Sequence, residues 1–202
     1  MLFNPLIEGE LRFGKAWSYG IELSLRKTEG KFTGGIGYTY SRSFKQIVGI
    51  NDNKAYKAFY DRPNDINLNL SYNSNKHWEF SANWLFITGG TITTPTSFGY
   101  YNGYYMPIYG GKNNDRLPDY HRLDLSISYK IRNPGKKIQH TVTVTVYNAY
   151  NRDNPISVNF NKIVNSNGQF VVPSNLENSY EIVPTTISVL GIIPSLTYNF
   201  KF

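Results

Sequence analysis

The sequence predicts an all-β chain in which about seven antiparallel, up-and-down strands form a partial, open segment of a transmembrane β-barrel. Apolar and polar residues alternate along most of the chain, and this period is typical of strands with one apolar face. Short and long connections alternate, as in membrane barrels with short periplasmic turns and long extracellular loops. No stretch reaches the roughly 20 apolar residues of a membrane-spanning helix, so strands would have to cross the bilayer.

The first predicted element is a hairpin of two strands, at 17–27 and 31–41. Tyr19, Ile21 and Leu23 alternate with small or polar residues in the first strand. A short turn at Gly30 leads into a second alternating run. The residues before this hairpin, 1–15, are expected to be the remnant of a loop.

The second predicted hairpin follows a polar stretch and joins strands at 65–73 and 77–88. Isoleucine and leucine alternate with asparagine and serine in its first strand, and the same period continues from Trp78 to Phe86. The turn between the strands, Asn73-Ser-Asn-Lys76, consists largely of residues that favour turns.

The third predicted hairpin follows a longer insertion and joins strands at 120–131 and 138–149. In the first of these strands Leu123, Leu125 and Ile127 alternate with polar residues, and the Asn133-Pro-Gly-Lys136 turn connects it to an alternation of valine and threonine. The chain is therefore predicted to contain three pairs of strands, each joined by a short turn.

The last predicted strand, 185–202, ends the chain. Ile187 is out of phase with Leu196, and a β-bulge near Pro194 would reconcile the two halves. A soluble sandwich can end on such a strand as well. About seven strands is an odd number, whereas a closed single-chain barrel has an even number of at least eight, so we expect an incomplete barrel.

The composition excludes several classes of function. The chain has 202 residues with 17 Tyr, 12 Phe and no Cys, which excludes disulfides, thiolate catalysis and Cys-based zinc sites. The net charge is +7, but Lys and Arg are scattered and form no nucleic-acid module, so no nucleic-acid partner is expected. A solvated face is our first interpretation of the charge, and contact with lipid phosphates is the second.

The sequence offers no catalytic, cofactor or metal site, and we do not expect an enzyme. His77, His121 and His140 lack the spacing of metal ligands, so each is expected to be structural. In an extended strand, Arg122 and Asp124 lie on the face opposite His121. We therefore interpret Arg122 and Asp124 as a pair that lines a polar lumen, and not as part of an acid-base site.

A tyrosine-rich segment with several glycines is a candidate ligand-contacting loop. Rigid aromatic rings on an adaptable backbone suit the capture of sugars or chelates. The alternative is that these rings fold the loop onto itself or lie in the aromatic belt at the membrane interface. The tyrosines are Tyr100, Tyr101, Tyr104, Tyr105 and Tyr109.

Several short runs, in this order and spacing, resemble the C-terminal barrel of TonB-dependent outer-membrane receptors of the Bacteroidetes type. The resemblance extends from about Gly14 to Phe202, and the run from Arg116 to Asp124 is its most specific part. One departure is Asn64, where such receptors often have histidine. The runs are Gly20-Ile-Glu-Leu23, Gly30-Lys-Phe-Thr-Gly34, Tyr38-Thr-Tyr-Ser41, Tyr60-Asp-Arg62, Arg116-Leu-Pro-Asp-Tyr-His-Arg-Leu-Asp124, Tyr147-Asn-Ala-Tyr-Asn-Arg-Asp-Asn-Pro155 and Gly191-Ile-Ile-Pro-Ser195.

The resemblance implies a plugged barrel of about 22 strands, of which residues 1–202, as a single partial barrel domain, would supply roughly the last third. It implies location in the bacterial outer membrane, among lipid and lipopolysaccharide, and uptake of a metal chelate, cobalamin or a glycan. TonB would act through a plug domain, which we expect to be missing here, so that this polypeptide alone should not transport.

The resemblance also implies a role for the last strand, because in this family the barrel-assembly machinery recognises such an ending. The alternating large residues that would form this signal are Leu196, Tyr198, Phe200 and Phe202. Two other functions stay open from the sequence. One is a small autonomous outer-membrane barrel with a structural or adhesive role, and the other is a soluble β-sandwich binding module.

Overall fold

A computed structural model describes residues 12–101, 104–131, 138–162, 167, 182–188 and 190–201. A short 3-10 helix, Asn51–Asn53, interrupts an otherwise all-β described region. The strands in chain order are β1 (Gly14–Lys27), β2 (Phe32–Ile47), β3 (Tyr56–Lys57), β4 (Asn64–Asn73), β5 (Trp78–Ile87), β6 (Thr91–Ile92), β7 (Pro95–Tyr101), β8 (Tyr104–Tyr109), β9 (Asp115–Arg116), β10 (Tyr120–Ile131), β11 (Gln139–Tyr147), β12 (Pro155–Lys162), β13 (Ile182–Ser188) and β14 (Ile193–Lys201).

One antiparallel sheet contains the long strands in the order β1-β2-β4-β5-β10-β11-β14, with the short β3 paired to β2. Each long strand pairs with the next long strand in the chain, so the connectivity is up-and-down throughout. This confirms the predicted fold class, an antiparallel, up-and-down barrel segment. The barrel is open, since β1 and β14 each have a neighbour on one side within the described residues.

The register of the sheet aligns the apolar positions of successive strands on one face. Leu70 lies opposite both Gly34 and Ala82, and Leu125 lies opposite both Ala82 and Val146. No second sheet covers this face in the described part of the chain, and Leu25 is 73% exposed. A β-sandwich would bury such a face, so the sheet does not support that alternative.

The opposite face is polar and its side chains bond across the strands. Ser71 and Ser81 hydroxyls are 3.1 Å apart, and Ser128 and Thr143 hydroxyls are 2.9 Å apart. Lys130 Nζ donates to Glu79 Oε2 at 2.6 Å. A polar face with satisfied hydrogen bonds next to an apolar exposed face is the arrangement of a barrel wall.

Short and long connections lie at opposite ends of the sheet. At the short-turn end, β1 and β2, β4 and β5, and β10 and β11 are joined, and the Asn73 N–H donates to the Lys31 carbonyl oxygen at 2.8 Å. At the long-loop end, the connections contain small strand pairs of their own, β6–β9, β7–β8 and β12–β13. No described helix is long and apolar enough to cross a membrane.

The last predicted strand requires correction, because 185–202 is not one strand. Residues Ile182–Ser188 form β13, which pairs with β12 in the long-loop region, and Ile193–Lys201 form β14 in the main sheet. Leu190, with φ of 61°, lies between them in a conformation that interrupts an extended chain. The ladder from β11 to β14 runs without a register shift through Pro194, so the described pairing contains no bulge there.

Other bounds also differ from the predicted ones. β1 begins at Gly14, within the region predicted as a loop remnant, and β2 continues to Ile47, beyond the predicted end at 41. Residues 1–11, the turn at 133–136 and Phe202 lie outside the described residues.

Candidate functional site

A buried carboxylate, Asp61, organises the long-loop end of the sheet. Its Oδ1 accepts hydrogen bonds from the Ser43 backbone N–H at 2.6 Å and from Arg42 Nε at 3.2 Å, while its Oδ2 pairs with the guanidinium of Arg116. The Asp61 side chain has 0% exposure. We call these four residues the Asp61 clamp, because they join β2, the connection before β4, and β9.

The charged state of Asp61 is stabilised by its partners. Burial alone would raise the pKa of this carboxyl, but the Ser43 N–H and the guanidinium groups of Arg116 and Arg42 lower the pKa below its ordinary value. The Asp61 clamp is therefore ionic at neutral pH.

Arg116 extends the Asp61 clamp to the segment that follows β5. Its Nη1 donates to the Gly89 carbonyl oxygen at 3.0 Å, and Asp119 Oδ1 accepts from the Gly89 N–H at 2.9 Å. A Cβ at Gly89 would lie 1.7 Å from the Leu117 carbonyl oxygen, so only glycine fits this close approach of two backbones. The run from Arg116 to Asp119 is thus held against Gly89, near the start of the same connection between β5 and β10.

A cavity of about 310 Å³ opens beside these contacts. It belongs to the polar face of the sheet, because Leu85 lies opposite both Asn67 and Arg122. Its lining combines a guanidinium, a phenol, two glycines and apolar side chains, a mixture that suits a small ligand. The lining residues are Arg62, Leu85, Ile87, Thr88, Gly89, Gly90, Leu117, Pro118, Tyr120, Pro155 and Ile156.

Next to the cavity, Arg122 is surrounded by partners on the polar face. Its Nε donates to Asp124 Oδ2 at 3.0 Å, and its Nη1 donates to the hydroxyls of Tyr120 at 3.0 Å and Tyr147 at 2.5 Å. The guanidinium carbon also lies 4.0 Å from the centroid of the Tyr147 ring. The structure therefore places Arg122 and Asp124 together on the polar face, as one ion pair at 2.9 Å.

The turn after β11 is built around Asn148, whose exposure is 0%. Its φ is 52°, and its Nδ2 donates to the carbonyl oxygens of Arg152 at 2.9 Å and Leu190 at 3.2 Å. The Asn148 N–H donates to Asp124 Oδ1 at 2.9 Å, which ties this turn to the Arg122 cluster. Asn148 thus connects the ends of β10, β11 and the approach to β14.

Asn154 makes a second link in this segment. Its Oδ1 accepts from the His121 N–H at 3.1 Å, and its Nδ2 donates to the His121 carbonyl oxygen at 3.0 Å. This pair of hydrogen bonds copies the backbone pairing of a strand, so the segment after Asn148 extends the edge of β10.

The tyrosine-rich loop forms a hairpin of β7 and β8. Tyr100 lies opposite Tyr105, and Tyr101 lies opposite Tyr104, in the backbone register. The side chains of Tyr101 and Tyr109 are 68% and 51% exposed. The side chains of Tyr100, Tyr104 and Tyr105 lie outside the described part.

Each of the three histidines has a nearby hydrogen-bond partner. His77 Nδ1 lies 2.9 Å from the Lys130 carbonyl oxygen, and His140 Nδ1 lies 2.6 Å from the Tyr198 hydroxyl. His121 Nδ1 lies 2.7 Å from the Tyr150 hydroxyl. Among the described residues, no three histidine or acidic side chains are grouped so as to hold a metal ion.

The last strand, β14, presents its large residues on the apolar face of an edge strand. Leu196 and Tyr198 lie opposite Val144 and Val142 and are 72% and 58% exposed. Phe200, opposite His140, is 62% exposed. The face that we predicted as an assembly signal is thus accessible along its described length.

Sequence reasoning missed the roles of Asp61, Arg116, Asn148 and Asn154. All four lie within the short runs that carry the family resemblance, which was the available signal. Their partners are distant in the chain, and the Arg116 and Asp61 pair spans 55 residues. Local periodicity contains no information on such pairs.

Comparison with known proteins identifies one match. A family model described as "TonB dependent receptor-like, beta-barrel" matches residues 9–151, which include every strand from β1 to β11. Neither a search of curated proteins nor a search of solved structures found a match.

Proposed function

The chain belongs to the TonB-dependent receptor β-barrel family, and from that premise we propose that it supplies seven consecutive wall strands of a larger outer-membrane uptake receptor. The observation that carries this proposal is the two-faced, up-and-down sheet with short turns at one end and long loops at the other. Receptors in outer membranes have this arrangement, with the short turns in the periplasm.

The open sheet supports a place within a larger barrel. Within the described residues, β1 and β14 each have one unpaired edge. Unpaired N–H and C=O groups are costly in a bilayer, so both edges need partner strands. Outer-membrane transporters of about 22 strands enclose a plugged lumen, which gives room for such partners. In our proposal the plug also transmits the action of TonB, and the barrel-assembly machinery inserts the wall among lipid and lipopolysaccharide.

In this proposal the polar face lines the lumen and the cavity beside Arg62 faces the incoming ligand. Arg62 and Tyr120 in the lining of this cavity offer a cation and a phenol group, which suits anionic or polyhydroxylated ligands. The exposed Tyr101 and Tyr109 offer further aromatic faces on the β7–β8 hairpin at the long-loop end. A metal chelate, cobalamin or a glycan fits this chemistry.

The absence of cysteine in the sequence permits a direct test of the membrane arrangement. Single variants Lys112→Cys and Lys76→Cys place a thiol at the long-loop end and at the short-turn end. In intact cells, a membrane-impermeant maleimide should label position 112, and should label position 76 after the outer membrane is permeabilised. Labelling of both positions in intact cells would contradict the proposed orientation.

A matched pair of variants tests which face meets lipid. Leu68→Cys and Asn69→Cys are adjacent on β4 and lie on opposite faces. A water-soluble maleimide should label position 69 at least several-fold faster than position 68 in membranes. Equal rates would show that the apolar face is not covered by lipid and would remove the basis of the proposal.

The ligand-contacting role of the tyrosines needs a test of uptake. We expect Tyr101→Ala with Tyr109→Ala, in the source bacterium, to reduce growth on one limiting nutrient from a panel of chelates, cobalamin and glycans. Tyr101→Phe with Tyr109→Phe keeps the rings and should retain growth. Unchanged growth of the alanine variant on every nutrient that requires this protein would exclude that role.

A further inference from the structure

We propose that the apolar face carries a binding site for an anionic phospholipid, with one acyl chain in a trough across β2, β4, β5 and β10 and the phosphate at Lys27. This inference rests on the proposed function, because it requires the apolar face to meet a bilayer. It adds a specific lipid and a specific place to that function.

The trough consists of two adjoining cavities of about 360 and 200 Å³ on the apolar face. Both are lined by Phe32 and Leu70, so the two cavities adjoin at these residues. The larger one continues past Ala82 to Leu125. An elongated apolar groove on a lipid-facing wall matches the shape and chemistry of an acyl chain.

Small residues create the trough. Gly34, Leu70, Ala82 and Leu125 are paired in one row across four strands, and two of these four positions have little or no side chain. At Gly34 a Cβ would lie 2.2 Å from the Asn69 carbonyl oxygen, so the close approach of β2 and β4 requires glycine.

Aromatic rings form one wall of the trough. Phe32 and Tyr72 stack with their centroids 4.3 Å apart, and Tyr72 and Phe80 stack at 6.4 Å. This row lies on the short-turn side of the small residues. The trough is thus a depression between rings and aliphatic side chains, and not a flat part of the wall.

A lysine lies at one end of the trough. Lys27 continues the row of Gly34, and it lines the smaller cavity together with Leu25. It follows Tyr19, Ile21, Leu23 and Leu25 on the same face of β1, so the apolar face changes from aliphatic to cationic at this point.

More positive charge surrounds this end of the trough. Lys31 and Lys76 are exposed, and their turns are joined by the hydrogen bond from Asn73 N–H to the Lys31 carbonyl oxygen. In the described part of the chain, none of Lys27, Lys31 and Lys76 forms an ion pair. Glu29, exposed in the turn between Lys27 and Lys31, offsets one of these charges, and the remaining positive charge is available to a phosphate.

The position of this charge selects the lipid. The short-turn end is the periplasmic end in the proposed orientation, where the bilayer leaflet consists of phospholipids. A basic cluster next to an acyl groove at that surface is complementary to an anionic phospholipid headgroup. At the opposite end of the same face Lys15 lies on β1, but it lines neither of the two cavities that form the trough.

The three tryptophans permit a test on the intact receptor that contains this chain, reconstituted in vesicles, with phenylalanine at any tryptophan that other parts of the receptor contribute. Trp78 and Trp84 flank the trough on β5, and Trp17 lies on the same face at the long-loop end of β1. Variants that keep one tryptophan, with phenylalanine at the other two positions, assign the signal. Each is measured in phosphatidylcholine vesicles with a minor fraction of brominated phosphatidylglycerol or brominated phosphatidylcholine, at constant total phosphatidylglycerol.

We expect brominated phosphatidylglycerol to be enriched about fivefold near Trp78 and Trp84, the ratio that one lysine provides near an anionic surface. Trp17 should show no preference. Lys27→Gln and Ala82→Leu should abolish the preference, since one removes the phosphate contact and the other fills the trough. Lys15→Gln, on the same face of β1 at the other end, should retain it.

The outcomes separate this inference from the proposed function. Equal quenching by the two brominated lipids at Trp78 and Trp84, with quenching at Trp17 intact, would overturn the lipid site and leave the membrane function standing. A preference at Trp17 or loss of the preference in Lys15→Gln would also overturn it. No quenching at any tryptophan would show that the wall does not meet lipid, and both proposals would fail.

Discussion

The guanidinium of Arg116 contacts Asp61 twice, through the carboxylate and through the backbone carbonyl oxygen of the same residue. These two residues are 55 positions apart and belong to different long connections. Because Arg42 and the Ser43 N–H hold the other carboxylate oxygen, the contact fixes two loops to the end of β2.

Asp61→Asn should release these loops. The variant keeps the shape of the side chain but removes its charge, and hydrogen bonds to a charged group contribute about 1.5–3 kcal/mol each. We expect cleavage of the connection between β5 and β10 by a protease under native conditions to increase by at least about tenfold. Asp52→Asn, an exposed acid at the same end, is the matched control and should leave cleavage unchanged. Equal cleavage of both variants would contradict the role of the Asp61 clamp.

The Asp61 clamp should open in acid. The pKa of Asp61 is lower in the folded state than in the unfolded state, so its contribution is complete above the unfolded pKa and is lost as the pH falls through the folded one. We therefore expect opening to begin below about pH 4. Hydrogen exchange of the Ser43 amide, corrected for the intrinsic exchange rate, measures this opening of the Asp61 clamp. In Asp61→Asn this step should be absent, and a step of the same size in both proteins would show that another group titrates.

Arg122→Lys should destabilise the polar face although the charge is retained. Lysine cannot reproduce the planar contacts with Asp124, Tyr120 and the Tyr147 ring, and a cation-π contact alone contributes about 0.5–2 kcal/mol. The temperature at which the folded, detergent-extracted protein loses its gel mobility should fall by a few degrees. Arg26→Lys, at an exposed position on the polar face of β1, should leave this temperature unchanged. A fall of the same size in both would indicate a general effect of replacing arginine by lysine and would contradict a specific role of the Arg122 contacts.

Substitutions at Asn148 should separate the contribution of its side chain from that of its backbone conformation. Asn148→Gly removes the hydrogen bonds to Arg152 and Leu190 but tolerates the positive φ. Asn148→Ala removes the same bonds and adds about 1–2 kcal/mol for the left-handed conformation. Thermal stability should therefore decrease in the order wild type, Gly variant, Ala variant. If the alanine and glycine variants are equally stable, the backbone at this turn is not constrained.

Replacement of the apolar residues of β14 should impair assembly more than it impairs stability. Leu196→Ser with Phe200→Ser removes large side chains from an exposed edge strand that we interpret as the assembly signal. The amount of heat-modifiable protein in the outer-membrane fraction should fall several-fold. Thr197→Ser with Asn199→Ser, on the opposite face, is the control and should assemble normally. Normal assembly of the apolar variant would reject this interpretation.

The sequence was sufficient to predict the long strands because each depends on local information. Apolar and polar residues such as Leu68 and Asn69 alternate within each long strand. Turns such as the one after Asn73 are encoded by the residues that form them. Period two also determines the face of each side chain, so Arg122 and Asp124 were expected on the polar face, where the structure places them.

Pairing between distant segments was not available from the same information. Residues 185–188 were predicted to belong to the last barrel strand, but Ile187 pairs with Ser157 and not with a strand of the main sheet. An extended segment can pair in either setting, so a local pattern does not determine the partner. The bond between Asp61 and Arg116 escaped prediction for the same reason, since the runs that contain the two residues do not indicate which residues pair across 55 positions.

The up-and-down order of the sheet also makes the hairpin its unit of growth. The β4–β5 hairpin begins and ends at the long-loop end, so removal or duplication of this pair leaves every other turn on its own side of the membrane. Each such step would change the circumference of the wall by about 10 Å, two strand spacings. Pore size in a protein of this design is therefore adjustable in pairs of strands, and an engineered receptor of different width needs only whole hairpins exchanged.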